Sequence, residues 1–244
     1  MKILNLYAGV GGNRKLWDSH DVTAVEYNEQ IAAIYQKRFP KDHMFIEDVL
    51  EFIRRIDLEQ FDFIWASPPC KTHSCATSSH ARYVPDLTQL YGLRLYLEYS
   101  IGTAAYKNDV PKTLYCIENV QPFYKIPKEW RASTKIDRHY FWANFPILDP
   151  KYAGFEETPS SRLSDDMINT NKHQRSLLMR GTIQDIADYH DFNLTLLDGY
   201  KGRKDTVVRN MTHYNIGDFI LFNVRRFLRH KEQGLLRYLG VNTK

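Results

Sequence analysis

Residues 2–12 read Lys-Ile-Leu-Asn-Leu-Tyr-Ala-Gly-Val-Gly-Gly. Five of the first seven are apolar or aromatic, and three of the next four are glycine. A short apolar run that stops in a glycine cluster predicts a buried strand, Lys2–Ala8, followed by a tight turn into a helix-like stretch to about Ser19. Working outward, Val22–Tyr27 is the next strand. Glu29–Phe39 reads as a helix with Ile31, Ile34 and Tyr35 on one face, stopped by Pro40. His43–Glu47, Phe61–Ala66, Thr113–Ile117 and His139–Trp142 are further strands, with a helical Val49–Ile56 between the first two of these. Strands alternating with helices predict an α/β fold, a doubly wound and mostly parallel sheet. On such sheets ligands sit beyond the carboxyl ends of the strands.

The chain has 244 residues and three cysteines, Cys70, Cys75 and Cys116. That length buries a core without staples, and so sparse a cysteine count excludes a disulfide framework and fits a reducing cytoplasm. Metal-ligand spacing is absent from the sequence, as are an eighteen-residue apolar run and a secretory h-region. Charge is uneven. Residues 1–150 hold 18 basic and 18 acidic residues, 151–198 hold 5 and 8, and 199–244 hold 10 and 3. A late basic excess suits phosphates as well as it suits a solvated helix face. Its members include Lys201, Arg203, Lys204, Arg225, Arg226 and Arg229. Thr182–Tyr189 looks helical, and Asn215 is placed to cap a last helix reaching His230, with Ile216, Phe219, Ile220 and Phe227 inward.

The strand ends carry the chemistry. Gly9, Gly11 and Gly12 let a backbone approach a ligand, although an ordinary strand–helix turn has the same look. Glu26 ends the second strand, where a carboxylate can accept from two ribose hydroxyls. Asp48 follows the third and either reads an amino group or caps Val49–Ile56. Ser67-Pro68-Pro69-Cys70 fixes an extended turn that presents a thiol, a candidate nucleophile whose site should favour the thiolate. Cys116 reads as a buried strand residue. Glu118, at the next strand end, is expected half-buried and able to work protonated.

Leu4–Gly12, Ser67–Cys70 and Glu118–Val120, in this order and spacing, resemble the DNA (cytosine-5) methyltransferases over about the first 145 residues and again near the C-terminus. The resemblance implies a Rossmann-like methyltransferase fold, with S-adenosyl-L-methionine as cofactor and duplex DNA as partner. It implies cofactor contacts from Tyr7, Gly9, Gly11, Gly12, Glu26, Tyr27, Asp48, Val49, Pro68 and Asn210. It makes Cys70 the nucleophile, Glu118 the group on the cytosine edge, and Arg138 the second arginine of the family's Gln-x-Arg-x-Arg motif. Thr134 and Ile136 stand at that motif's other two places. Asn119 would brace the proline loop. A Lys71–Asp86 loop would close over a flipped base, and DNA contacts are expected from Lys71, Ser74, Arg82, Lys172, Arg175, Arg203 and Lys204. The expected division is a catalytic core over 1–149, a small recognition insert over 150–208 and a C-terminal return over 209–244. A cytoplasmic monomer is expected, and so short a recognition segment implies a reduced recognition element, short or relaxed specificity, or help from another chain. A tRNA cytosine-5 methyltransferase shares this core and stays open as an alternative, as does an inactive cofactor-binding subunit.

Overall fold

The structure, a computed structural model, describes residues 1–71, 74, 88–101, 111–120, 122, 124–136, 138–150 and 181–232. Strands β1 (Lys2–Leu6), β2 (Asp21–Val25), β3 (His43–Phe45), β4 (Phe63–Ala66) and β5 (Leu114–Val120) run parallel. Strands β6 (Thr134–Ile136) and β7 (His139–Ala143) join antiparallel, giving the order β3-β2-β1-β4-β5-β7-β6. The chain steps outward from β1 in one direction, returns, and steps outward from β4 in the other. The switch therefore falls between β1 and β4, where a doubly wound sheet opens a crevice at its carboxyl edge.

Both sheet faces are covered, which is why the central strands are apolar throughout rather than alternating. Phe63, Ile64, Trp65 and Ala66 are all fully buried. Tyr35 of α1 (Glu29–Arg38) packs with Ala24 of β2 and with Ala8. Leu4, Leu6, Ile64, Ile117 and Trp142 pack with Phe52 and Ile53 of α2 (Val49–Arg54) and with Leu93 and Leu97 of α3 (Leu93–Ile101). Ile3, Phe63, Trp65, Cys116 and Phe141 face the other way, onto Ile216, Phe219, Ile220 and Phe227. Those four belong to the long last helix, which the two short helices α4 (Ile183–Tyr189) and α5 (Lys204–Arg209) precede and which we label α6 (Tyr214–Glu232). Ile186, Phe192, Leu197 and Val208 share a further apolar cluster with Val10 and Ile34, so residues 183–211 rest on the glycine loop and α1. Among the described residues no helix is long and apolar enough to cross a membrane.

Four local expectations change. The stretch after Gly12 is a series of turns, with bonds such as Trp17 N–H to Arg14 O, three residues back, instead of a helix. Asn13 is tied to Asn5 of β1, Arg14 to Asp42 and Trp17 is sunk in the core, so this stretch is held by long-range contacts in place of a helical ladder. β5 runs on through Glu118, Asn119 and Val120, because β7 pairs with them. Thr134–Ile136 is a strand whose partner among the described residues is β7, and His139–Ala143 is consequently the seventh. Asn215 is not the cap of α6; its N–H donates to Nδ1 of His213, which takes that place.

Candidate active site

The glycine loop leaves β1 through left-handed backbone at Tyr7 (φ 55°), Gly9 (φ 54°) and Gly11 (φ 76°). For a tyrosine this conformation is costly and needs fixing from outside. The Tyr7 hydroxyl supplies the anchor by donating to Oε1 of Gln89 at 2.5 Å. The turn aims the Gly9 N–H at Oε2 of Glu26 (3.0 Å), while the Asn28 N–H donates to Oε1 (2.9 Å). Burial pushes the Glu26 carboxyl up, and these backbone donors pull it partly back. A Cβ on Gly12 would lie 2.5 Å from the carbonyl oxygen of Thr212, so this glycine is what lets the C-terminal segment close against the loop. Asp48 is the N-cap of α2, accepting at Oδ1 from Leu50 N–H (2.8 Å) and Glu51 N–H (3.1 Å). It also lines the cleft, so cap and binding roles are compatible.

On the other side, Ser67 starts the proline turn with its N–H on Leu6 O. The Asn119 side-chain amide donates to Pro68 O at 3.1 Å and braces the turn. Asn119 and Glu118, neighbours in β5, point to opposite faces, so one reaches the proline turn and the other the C-terminal segment. Cys70 sits partly buried beyond Pro69. Burial and the nearby Glu118 carboxylate push its thiol up, and Arg138 only partly opposes them. Against the expectation of a site that favours the thiolate, burial and the neighbouring carboxylate both act on this sulfur in the opposite direction.

Glu118 is also unlike the half-buried, protonated acid expected. It is 5% exposed, with Oε1 2.5 Å from Nδ1 of His139 and Oε2 accepting from the Thr212 hydroxyl at 3.2 Å. Burial raises its pKa, but the His139 imidazole, the Ser67 hydroxyl and the Arg138 guanidinium together outweigh that and hold it below the usual carboxylate value. Arg138 donates from Nη2 to Arg209 O at 2.9 Å, and its Nε has no partner among the described residues. Neither His139 nor Thr212 stands out in the sequence. The only hint of the first is its place directly after the motif arginine.

These groups line one cleft of about 980 Å³. Tyr7, Gly9, Gly12, Glu26, Tyr27, Asp48, Val49, Pro68 and Asn210 lie in its wall with Cys70, Glu118 and Arg138. Gly11 lies behind it, against Phe39 and Tyr35. Ser74 and Arg203 also line it, whereas Lys71 and Lys204 do not. Arg203 pairs with Asp205 and Lys204 with Asp198. Arg82, Lys172, Arg175 and Cys75 lie outside the described residues. The wall fits an adenosine-bearing sulfonium. Two carboxylates stand at adjacent strand ends for hydroxyl and amino groups, and a Cβ at Gly9 would meet no protein atom within 4 Å, which leaves space over the loop.

Solved structures of similar fold include the Entamoeba histolytica methyltransferase EhMeth (14% identity, 93% of this chain and 98% of that one, TM-score 0.50). The Schizosaccharomyces pombe Dnmt2 methyltransferase is alike at 12% identity (93% and 99%, TM-score 0.51). A Spodoptera frugiperda DNMT2 mutant overlaps less, at 24% identity over 50% of this chain and 36% of that one, with a TM-score of 0.32. No curated protein matches the chain. The sequence model of the C-5 cytosine-specific DNA methylases matches residues 1–132, more than half of the 244. The chain belongs to the C-5 cytosine-specific DNA methylase family, whose methyl donor is S-adenosyl-L-methionine.

Proposed function

We propose that the chain methylates carbon 5 of cytosine in double-stranded DNA through a covalent adduct with Cys70. The observation that carries this reading is the shared cleft, with Cys70, Glu118 and Arg138 at one end and the glycine loop, Glu26 and Asp48 at the other. S-adenosyl-L-methionine, held by Glu26, Tyr27, Asp48 and the loop backbone, supplies an electrophilic methyl group. Carbon 5 of cytosine is a weak nucleophile until a sulfur adds at carbon 6 and makes the ring enamine-like. The target atom is shut inside a duplex, so the base has to leave the stack to reach Cys70.

Its neighbours favour the ionised form of Glu118, so the proton it passes to ring nitrogen 3 has to be delivered to it first by another acid of the site. As that proton passes to nitrogen 3 the ring becomes electrophilic. The Sγ–H bond of Cys70 breaks as the Sγ–C6 bond forms, and the thiol proton goes to solvent in the cleft. Arg138, with an unpartnered buried Nε, has donor capacity left for the ring's carbonyl edge. A base later takes the hydrogen from carbon 5 and the sulfur leaves.

Tritium transfer from labelled cofactor to duplex DNA and to tRNA tests the substrate. Counts in tRNA alone would overturn the DNA reading in favour of the tRNA alternative. Duplex DNA with 5-fluorocytosine at a methylated site tests the mechanism, since fluorine cannot leave as a proton. A complex surviving denaturing gels is expected with the wild type and absent with Cys70→Ser, which should still bind the cofactor. Methylated DNA without any such adduct would mean direct displacement at another atom.

A further inference from the structure

His139 and Glu118 are diagonal neighbours across the antiparallel β5–β7 pair. Val120 lies opposite His139 and Glu118 opposite Phe141, so both side chains emerge on the α6 face of the sheet. Both are about as buried as the core, at 4% and 5% exposure, and His139 Nδ1 stands 2.5 Å from Oε1 of the carboxylate. Thr212 occupies the other oxygen. Every oxygen of the group assigned to protonate the base is thus already bonded, and an ionised carboxylate has no proton of its own to give. A buried imidazole at hydrogen-bond distance is a proton source that solvent does not have to reach.

We propose that His139 is the positioning residue of the site, orienting Glu118 and holding the proton that Glu118 passes to ring nitrogen 3. This rests on the cytosine-5 reading above. In the step, the His139 Nδ1–H bond breaks as an O–H bond forms on Glu118. That O–H breaks in turn as N3–H forms, so the imidazolium becomes neutral and the carboxylate ends as it began. Elimination of the sulfur reverses the sequence. The other groups facing His139 do not compete for this proton. Arg138, one residue before it, is a guanidinium and does not give up its charge in a protein. His190 after α4 and His213 before α6 are held neutral by burial, with pKa values lowered to about 3 and about 4.

Two measurements test this. In the pH dependence of turnover, His139→Gln keeps a donor for Glu118 but removes the ionisation. Its kcat should fall by on the order of 10- to 100-fold, less than removing the acid itself, with one ionisation gone from the profile and KM unchanged. His139→Leu should lose further activity. A Gln variant with wild-type kcat and profile would reduce His139 to a brace and overturn the inference. Independently of activity, nitrogen-15 spectra of the histidine rings should show Nδ1 of His139 carrying a hydrogen-bonded proton in the wild type and its signal displaced in Glu118→Gln. An Nδ1 signal indifferent to that change overturns the inference, even if the Leu variant fails to fold. A wild type with no methyl transfer to any nucleic acid would instead overturn the proposed function.

Discussion

Gly217 lies in the first turns of α6, where helix propensity favours alanine by about 1 kcal/mol. Gly217→Ala should nevertheless destabilise the protein. A Cβ there would stand 2.1 Å from the carbonyl oxygen of Asn13, 2.8 Å from its carbonyl carbon and 2.9 Å from its Cα. These are backbone atoms, and neither side of the clash is free to swing away. Asn13 is tied to Asn5 of β1 and its neighbour Arg14 is bonded twice to Asp42. Relief requires α6 to back off by about 1 Å, toward ordinary van der Waals separation. Overpacking costs about 1–3 kcal/mol, and a rigid backbone clash belongs at the upper end. The net loss is about 2 kcal/mol, which for a chain of this size lowers Tm by about 4–8 °C. Thermal unfolding followed by circular dichroism measures it, and calorimetry with S-adenosyl-L-methionine should show weaker binding, because Thr212 moves with the helix. Gly199→Ala is the control. With φ 82° and no atom within 4 Å of its Cβ, it should cost only about 1–2 kcal/mol of backbone strain and leave cofactor affinity alone. An unchanged or raised Tm in Gly217→Ala would refute the packing argument.

Asp48→Ala should lose both a helix cap, about 1 kcal/mol, and cofactor affinity, whereas Asp48→Asn should keep the cap and lose only affinity. Equal cofactor affinity in wild type and both variants, by calorimetry, would remove Asp48 from the binding site. Acid should destabilise the fold well above the carboxylate range. His190 and His213 have pKa values lowered to about 3 and about 4, mainly by burial, so the stability they contribute is complete above their unfolded value near 6.5 and drains as pH falls toward the folded values. Unfolding free energies from urea titrations should drop between pH 6.5 and 4, by up to about 1.4 kcal/mol per pH unit per histidine. His190→Leu should flatten that slope, and an identical slope would contradict it. Neutralising Lys201, Arg226 and Arg229 should reduce the salt dependence of DNA binding by about 0.9 in slope for each phosphate left without its cation, and an unchanged slope would assign them to solvent.

Strand ends are the most readable part of this sequence. Apolar runs stopping at Gly9, Glu26, Asp48 and Ser67 locate the carboxyl edge, because a buried parallel strand has to be apolar until it reaches the site. The Asn119 brace and the burial of Cys116 follow from the same logic. The turns after Gly12 mislead because a glycine cluster after a buried strand ordinarily opens a helix, and the bonds of Asn13 to Asn5 and of Arg14 to Asp42 leave no trace in the local sequence. β6 is three residues long, too short for periodicity to register. The protonation of the site is hidden for a deeper reason. Glu118 meets His139 across 21 residues of chain and Thr212 across 94, and no local pattern encodes pairings made by closure.

The wedge of Thr212 against Gly12 and of Gly217 against Asn13 also bears on which substitutions this chain tolerates. Each contact sets the main chain of one segment against a position without a Cβ in the other, so what it fixes is a backbone-to-backbone distance and not a side-chain pairing. Any residue other than glycine at position 12 or 217 meets a backbone oxygen first with its Cβ, so small and large substitutions there should fail alike.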